Sequence, residues 1–367
     1  MNWEALLDRA LDLARRGAGE VEPNPRVGAL ALEGGEVVGE GWHAFWGGPH
    51  AEPAALEDAR RRGRRPDTVV VTLEPCSTTG KTPACTDLLI REGVKRLVCG
   101  AVDPDPRHRG RGLEILRRAG VEVIARIREE ACLQAAGPFL RWLTMARPWV
   151  IGKWAMSLDG KIATRTGASR WITPRALRAR AHLLRARVDA VLVGSGTVAA
   201  DDPELTVRLA EGPDPAVLVA DPELEISLDR KLVKGAGERI VVLLAEEGSF
   251  QPGKRAALEE RGVEVLSFPS PLNLAAALEE VRRRKGWQRI LCEGGGRLLG
   301  SLHDLGLLDQ VEVHLGPRLI GGSEAPGPLG GLGPSGMEET LPVDVVKWEA
   351  AGGGFRLVGF PGRSGSR

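Results

Sequence analysis

Residues 68–101 read TVVVTLEPCSTTGKTPACTDLLIREGVKRLVCGA. The run TVVVTL, Thr68 to Leu73, is short, β-branched and almost continuously apolar, the pattern of a strand covered on both faces. CTDLLIREG follows as a helix that stops at Gly93, and KRLVCGAV returns as a second strand. On the N-terminal side, VGALALE (Val27 to Glu33) and EVVGEGW (Glu36 to Trp42) flank Gly34-Gly35, a two-residue hairpin signal. Before the hairpin, Trp3, Leu6, Leu7, Ala10, Leu11 and Ala14 recur at helical spacing up to Gly17, and a charged helix spans Pro53 to Arg62. On the C-terminal side, a helix near Gly112 to Ala119 and the strand VEVIA continue the alternation. The first 125 residues therefore predict a three-layer α/β sandwich.

A helix over Arg128 to Leu143 ends before Arg147-Pro148, where the proline marks a boundary near residue 146. Beyond it the pattern restarts. WVIGKWAMS is a strand, Asp159-Gly160 a turn, and Pro174 to Arg187 an Arg-rich helix. DAVLVG, AVLVA, RIVVLL, VEVLSF and QRILCEG are successive strands with helices between several of them; DQVEVHLG and FRLVGF are late strands. A Gly/Pro-rich loop, Gly321 to Gly336, separates the last two and is longer than a simple connection. Two domains are expected, 1–146 and 147–367, which suits 367 residues at roughly 100–200 per domain.

Composition narrows the function. Hydrophobic residues are 43% and charged residues 27%, ordinary for a globular chain. Lys+Arg is 50 against Asp+Glu 49, a net +1, with 4% aromatics and no Tyr. Such a chain offers few phosphate stripes or stacking platforms for a nucleic acid, so a small-molecule partner is expected. Five cysteines form no dense framework, the first twenty residues carry charges in every turn, and no apolar run spans a membrane. The expected location is the cytoplasm, with no membrane partner.

The chemistry begins at His50-Ala51-Glu52, Pro75-Cys76 and Cys85. One imidazole and two thiols at strand–helix junctions suit zinc with a fourth position open. A lone His or Cys is ordinarily a buried structural group; the ordered set at these junctions points to metal. Glu52 has the wrong spacing for a second ligand on the same helical face and is placed to exchange protons with the metal's water, whose pKa zinc lowers to about 7. The zinc-deaminase signature is H-x-E followed by P-C-x-x-C. Here eight residues separate the two Cys. His43 lacks a partnering Glu and reads as a rim or structural residue, while Cys99 and Cys132 read as core.

In the second half, Gly194-Ser195-Gly196-Thr197-Val198-Ala199 with Asp221 loosely fits a dinucleotide fingerprint. Asp201-Asp202-Pro203 interrupts the helix that fingerprint requires, so a Rossmann site is not expected.

The wider motifs carry a resemblance. Pro23-Asn24-Pro25-x-Val27-Gly28-Ala29, His50-Ala51-Glu52 and Glu74-Pro75-Cys76-Ser77-x-x-Gly80-Lys81-Thr82-Pro83-x-Cys85 resemble the deaminase half of the bifunctional riboflavin-biosynthesis deaminase/reductase family. The long Cys spacing is that branch's own pattern. The family usually has a His after the Ser of this loop, where Thr78-Thr79 stand here. Lys153-x-Ala155-x-Ser157-Leu158-Asp159-Gly160-Lys161, Ser169-x-Trp171-Ile172-Thr173, Leu184-Arg185-Ala186, the stretch Gly196 to Arg208 and Glu293-Gly294-Gly295 are similar to the reductase half.

The resemblance implies a cytidine-deaminase-like first domain and a dihydrofolate-reductase-like second domain, with zinc and NADPH as cofactors. It implies zinc on His50, Cys76 and Cys85, Glu52 as the catalytic residue, and Asn24 on the pyrimidine. It places NADPH along Ala155, Trp171, Thr173, Thr197, Asp201 and the turn Gly295, Gly296, Arg297, Leu298, Leu299, Gly300, Ser301. A phosphorylated pyrimidine substrate would meet Lys153, Ser169, Arg185, Leu205, Arg208 and Glu293 in the reductase half. Arg suits its phosphate through a bidentate fork. A homo-oligomer is the expected assembly. Two rivals stand beside this reading: a nucleic-acid-editing deaminase, disfavoured by the charge balance, and a non-catalytic binding protein, disfavoured by the intact His50, Glu52, Cys76 and Cys85.

Overall fold

The structure is a computed structural model and describes residues 1–78 and 83–362; Thr79, Gly80, Lys81 and Thr82 of the cysteine loop lie outside the described residues. The chain divides into two compact units, Met1–Met145 and Ala146–Arg367.

The first unit runs α1 (Trp3–Arg15), β1 (Gly28–Glu33), β2 (Glu36–Trp42), α2 (Ala51–Arg61), β3 (Thr68–Leu73), α3 (Cys85–Arg91), β4 (Arg96–Ala101), α4 (Arg111–Arg118), β5 (Glu122–Ala125), α5 (Glu129–Ala135) and α6 (Phe139–Leu143). The sheet order is β2-β1-β3-β4-β5, antiparallel through β1 and parallel from β3 to β5. On one face Leu7, Leu11 and Leu13 of α1 and Cys132 of α5 cover Leu30, Leu32, Val70 and Val98. On the other, Ala55 and Leu56 of α2, Leu89 of α3 and Leu116 of α4 cover Ala31, Val69, Val71 and Leu97. Both faces of β3 are therefore buried, which is why its sequence shows no polar alternation.

Two glycines set how α2 sits. A Cβ at Gly41 would stand 2.3 Å from the Ala55 nitrogen and 2.4 Å from the Ala51 carbonyl, and one at Gly39 would stand 2.3 Å from the Ala55 carbonyl. Their absence lets the α2 backbone rest directly on β2, and so fixes the end of α2 that carries His50 and Glu52. The single helix expected over 128–143 is instead two short ones. Gly137 adopts φ +72° and Pro138 follows it, so the first helix stops and a second starts.

The second unit runs β6 (Trp149–Met156), α7 (Arg175–Arg185), β7 (Ala190–Gly194), α8 (Ser195–Asp201), β8 (Ala216–Ala220), α9 (Lys231–Lys234), β9 (Val241–Glu246), α10 (Lys254–Glu259), β10 (Glu264–Phe268), α11 (Leu274–Lys285), β11 (Arg289–Cys292), α12 (Gly296–Asp304), β12 (Gln310–Leu315), β13 (Val343–Ala351) and β14 (Gly354–Pro361). They form one sheet in the order β10-β9-β8-β7-β11-β6-β12-β14-β13. It is parallel from β10 to β12, and β14 and β13 are antiparallel. The sequence reading missed β13 because its side chains are mostly exposed at a sheet edge and leave no apolar run.

α8 ends after seven residues, at Asp202 with φ +41° ahead of Pro203. Asp221 accepts the backbone N–H groups of Glu225 and Ile226 and so closes a turn. The fingerprint residues thus serve the fold of a different architecture.

The motif around Asp159 also has a structural use. Asp159 accepts the N–H groups of Ile320 and Gly321, and Lys161 donates to the Ala325 carbonyl at 2.8 Å. This turn therefore holds the start of the Gly/Pro-rich segment. Further along, that segment crosses α12, where a Cβ at Gly300 would stand 2.1 Å from the Gly330 carbonyl oxygen.

Candidate functional sites

His50 is the N-cap of α2, Cys76 follows β3, and Cys85 is the first residue of α3, so three element ends converge. His50 Nδ1 lies 3.5 Å from Cys76 Sγ and 3.3 Å from Cys85 Sγ, and the three donor atoms all fall within 4.8 Å of one another. Tetrahedral zinc with Zn–S near 2.3 Å and Zn–N near 2.0–2.1 Å requires N···S of about 3.6 Å and S···S of about 3.8 Å. The donor set fits that metal.

The thiols are chemically prepared for it. The Cys85 N–H donates to Cys76 Sγ at 3.3 Å. Hydrogen bonding from the Cys85 thiol, opposed by burial and helped by His50 and the Cys85 N–H, pulls Cys76 down to about 4. The same thiolate, with burial, pushes the Cys85 thiol up. Metal binding to such a pair displaces the thiol proton.

Glu52, in the first turn of α2, is 3% exposed, and burial raises its carboxyl above the ordinary value against the pull of His50. It stands beside the donor set without belonging to it.

His43 has a definite task. Its Nδ1 lies 2.8 Å from the Pro49 carbonyl, so that nitrogen carries the hydrogen. Nε2 is then an acceptor, and the Asn24 amide donates to it at 3.2 Å. Burial holds the His43 ring down at about 4, which keeps it neutral and keeps Nε2 an acceptor. Asn24 is thereby left with its Oδ1 free for a ligand. Glu74, the residue before Pro75-Cys76, accepts the N–H groups of Asp103, Gly110 and Gly112 at 3.0, 2.9 and 2.8 Å. Sequence reasoning gave His43 and Glu74 no functional role, because their partners are distant in the chain.

In the second unit a cavity of about 720 Å³ opens over the sheet. Lys153, Ser169, Arg185, Leu205, Arg208 and Glu293 line it. Ala155, Trp171, Thr173, Thr197 and Asp201 line it as well. The turn Gly295–Ser301 does not. Gly295 donates to Thr197 Oγ1 at 3.0 Å, and Leu298 and Leu299 pack into the core, while Arg297 is exposed.

Arg185 is not a free cation. Its Nε and Nη2 each lie 2.8 Å from a Glu293 carboxylate oxygen, and Nη1 donates to the Thr206 carbonyl. Burial raises Glu293, but Arg185 and Lys153 outweigh it and hold the carboxyl at about 2, fully ionised. Arg208 is half-exposed and pairs with Glu204 at 2.8 Å. The Arg178 guanidinium stacks 4.0 Å over the exposed Trp171 ring, a flat cationic platform that the sequence did not suggest.

Known proteins bear on both units. The family described as RibD C-terminal domain matches residues 148–357, and the cytidine and deoxycytidylate deaminase zinc-binding region matches residues 1–101. The riboflavin biosynthesis protein RibD of Aquifex aeolicus is 40% identical over 94% of this chain and 94% of its own. That of Escherichia coli is 36% identical over 88% of this chain and 89% of its own. The chain belongs to this bifunctional riboflavin-biosynthesis family. Among solved structures, RibD of Acinetobacter baumannii superposes with TM-score 0.70 at 30% identity, covering 98% of this chain and 99% of that one. A Thermotoga maritima deaminase/reductase gives 0.68 at 35% identity with the same coverage. The family's two activities, a zinc-dependent deaminase and an NADPH-dependent reductase, are therefore carried by this one chain. Among the described residues no helix is long and apolar enough to cross a membrane.

Proposed function

We propose that the N-terminal unit hydrolytically deaminates 2,5-diamino-6-(5-phosphoribosylamino)pyrimidin-4(3H)-one. The C-terminal unit then reduces the ribosyl side chain to the ribityl form, giving 5-amino-6-(5-phosphoribitylamino)uracil. The observation that supports this best is the His50/Cys76/Cys85 donor triangle with the buried Glu52 beside it.

His50, Cys76 and Cys85 would hold zinc, which would supply a water acidified to about pKa 7. Glu52 would take a proton from that water and pass it to the ring nitrogen as the C–O bond forms, then take the remaining proton of the added oxygen and pass it to the amine as the C–N bond breaks and ammonia leaves. The His43-oriented Oδ1 of Asn24 accepts from an N–H edge of the pyrimidine.

In the second unit NADPH supplies the hydride. Ala155, Trp171, Thr173, Thr197 and Asp201, which line the cavity, would hold it, with Gly295, Gly296, Arg297, Leu298, Leu299, Gly300 and Ser301 of the turn that opens α12. Lys153 and Arg208 face the phosphorylated ribose, with Ser169 and Leu205 beside it. Arg185 keeps Glu293 ionised and aimed, so that Glu293 accepts from substrate hydroxyl or amino groups. The domain limits proposed are 1–146 for the deaminase and 147–367 for the reductase, in a cytoplasmic protein with no nucleic-acid partner. A homo-oligomer is supported by the exposed Val343 and Val345 and the stacked Trp348–Phe355 pair on β13 and β14.

The test supplies the diaminopyrimidine phosphate with or without NADPH and identifies products by mass. Glu52→Gln should keep zinc, abolish ammonia release and leave NADPH oxidation on the deaminated intermediate intact. Retained ammonia release in that variant would overturn the assignment of Glu52.

A further inference from the structure

We propose that His314 supplies the proton consumed by the reductive step, from an imidazole fixed by Glu312 and Arg356. The proposal rests on the reductase reading above. His314 stands on β12 opposite Ala155 of β6, and Glu312, on the same face, stands opposite Lys153. His314 is among the residues that line the cavity. Its Nε2 lies 3.0 Å from Glu312 Oε1, and Arg356 of β14 grips the same carboxylate with Nε at 2.8 Å and Nη2 at 2.9 Å. The side chains of His314, Glu312 and Arg356 are 1%, 0% and 2% exposed.

A carboxylate facing Nε2 assigns the hydrogen to that nitrogen whether the ring is neutral or charged. Nδ1 is then the atom that gains or loses a proton. Among the described residues no hydrogen bond is made to it, and His314 is one of the residues that line the cavity.

Two further titratable side chains of the cavity lining, His182 and Glu293, are committed elsewhere. His182 Nδ1 accepts the Arg208 N–H at 3.0 Å, so protonating it would break that bond. Glu293 is ionised and clamped by Arg185. His314 alone among these three can change charge without losing its anchor.

The step balances. As the C1′–O4′ bond of the ribosylamine breaks, O4′ takes the Nδ1 proton and becomes a hydroxyl, and the exocyclic nitrogen lone pair forms the C1′=N iminium. The hydride of the established activity then adds to C1′, and the iminium electron pair returns to nitrogen as the neutral amine. C1′ is reduced, the nicotinamide is oxidised, and solvent returns a proton to His314.

The groups facing the Glu312–His314 pair are Lys153 on β6, Arg356 on β14 and Arg180 on α7, whose Nε lies 3.9 Å from Glu312; Glu349 on β13 acts through Arg356. Burial lowers the ring's affinity for a proton, Glu312 opposes this, and Lys153 and Arg356 reinforce it, so the net direction is below 6.5. An acid in this state is active below its pKa and lost above it. Reductase kcat/KM should therefore fall as pH rises through a value below about 6.5.

The experiment measures reductase kcat and KM on the deaminated intermediate between about pH 5 and 9 for wild type, His314→Gln and His314→Phe. NADPH binding, followed by cofactor fluorescence, checks the fold of each variant. Loss of a general acid predicts a fall in kcat of roughly 10²–10⁴-fold with KM little changed, loss of the pH limb, and partial rescue by added imidazole. Unchanged kcat, or a wild-type pH limb that persists in a variant that binds NADPH, overturns the proposal. If neither variant binds NADPH, the wild-type profile decides, and a flat profile overturns it. If wild type does not reduce the intermediate at all, it is the reductase reading that fails.

Discussion

Replacing Arg185 by Met would remove the charge that keeps Glu293 ionised inside the second unit while preserving most of the side chain's length. Glu293 and Arg185 are 11% and 12% exposed, so solvent screens the pair weakly. The carboxyl sits at about 2 against an ordinary 4.5, a difference worth about 3 kcal/mol. Breaking a buried pair by deleting one partner costs about 3–5 kcal/mol, which agrees. For a unit of this size that lowers its melting temperature by about 6–20 °C.

The pH dependence has a definite sign. In wild type the carboxyl is depressed, so its contribution is fully present above about 4.5 and is lost as pH falls toward about 2. In Arg185→Met, burial acts with only Lys153 and His182 opposing it, and Glu293 takes up a proton at higher pH. The deficit should therefore be largest near neutrality and shrink as the solution is acidified toward the carboxylate range. Urea denaturation at several pH values measures it, and Arg185→Met/Glu293→Gln should recover stability to within about 1 kcal/mol of wild type. A deficit below about 1 kcal/mol that is independent of pH would refute the reasoning, since it would mean that the pair is solvated.

Two further perturbations follow from the geometry. His43→Ala releases the Asn24 amide, and should raise deaminase KM about tenfold, near the value of one lost hydrogen bond, while zinc content stays unchanged. The Asn24→Ala/His43→Ala double variant should cost no more than Asn24→Ala alone in the same assay. Gly300→Ala places a Cβ 2.1 Å from the Gly330 carbonyl oxygen, where only backbone can move. A loss of about 1–3 kcal/mol, read as an earlier thermal transition of the reductase unit, is expected.

The parts of the molecule legible in the sequence share a cause. TVVVTL and KRLVCGAV are buried on both faces of a sheet, and such strands carry their environment in composition alone. His50, Glu52, Cys76 and Cys85 are legible because the elements that present them are nearly contiguous and the residue types are chemically rare. β13 was not legible, because an exposed edge strand leaves no apolar pattern. Apolar periodicity continues across Gly137-Pro138 although the backbone does not, so the sequence alone shows one helix over 128–143 where the fold has two.

By itself, the sequence determined the α/β architecture and a zinc-type donor set beside an acid, because periodicity and short motifs are local properties of the chain; the nicotinamide-dependent reductase followed only from its resemblance to a known family. Which side chains are free to act was decided only by the tertiary structure. Arg185, which read as a phosphate ligand, is committed to Glu293, 108 residues away. Asn24 acquires its orientation from His43, and the imidazole that best answers the reductase's need for a proton, His314, gains its anchor from Arg356 on the neighbouring strand. Charge pairing and hydrogen bonding depend on distances in space, and a linear chain does not contain them.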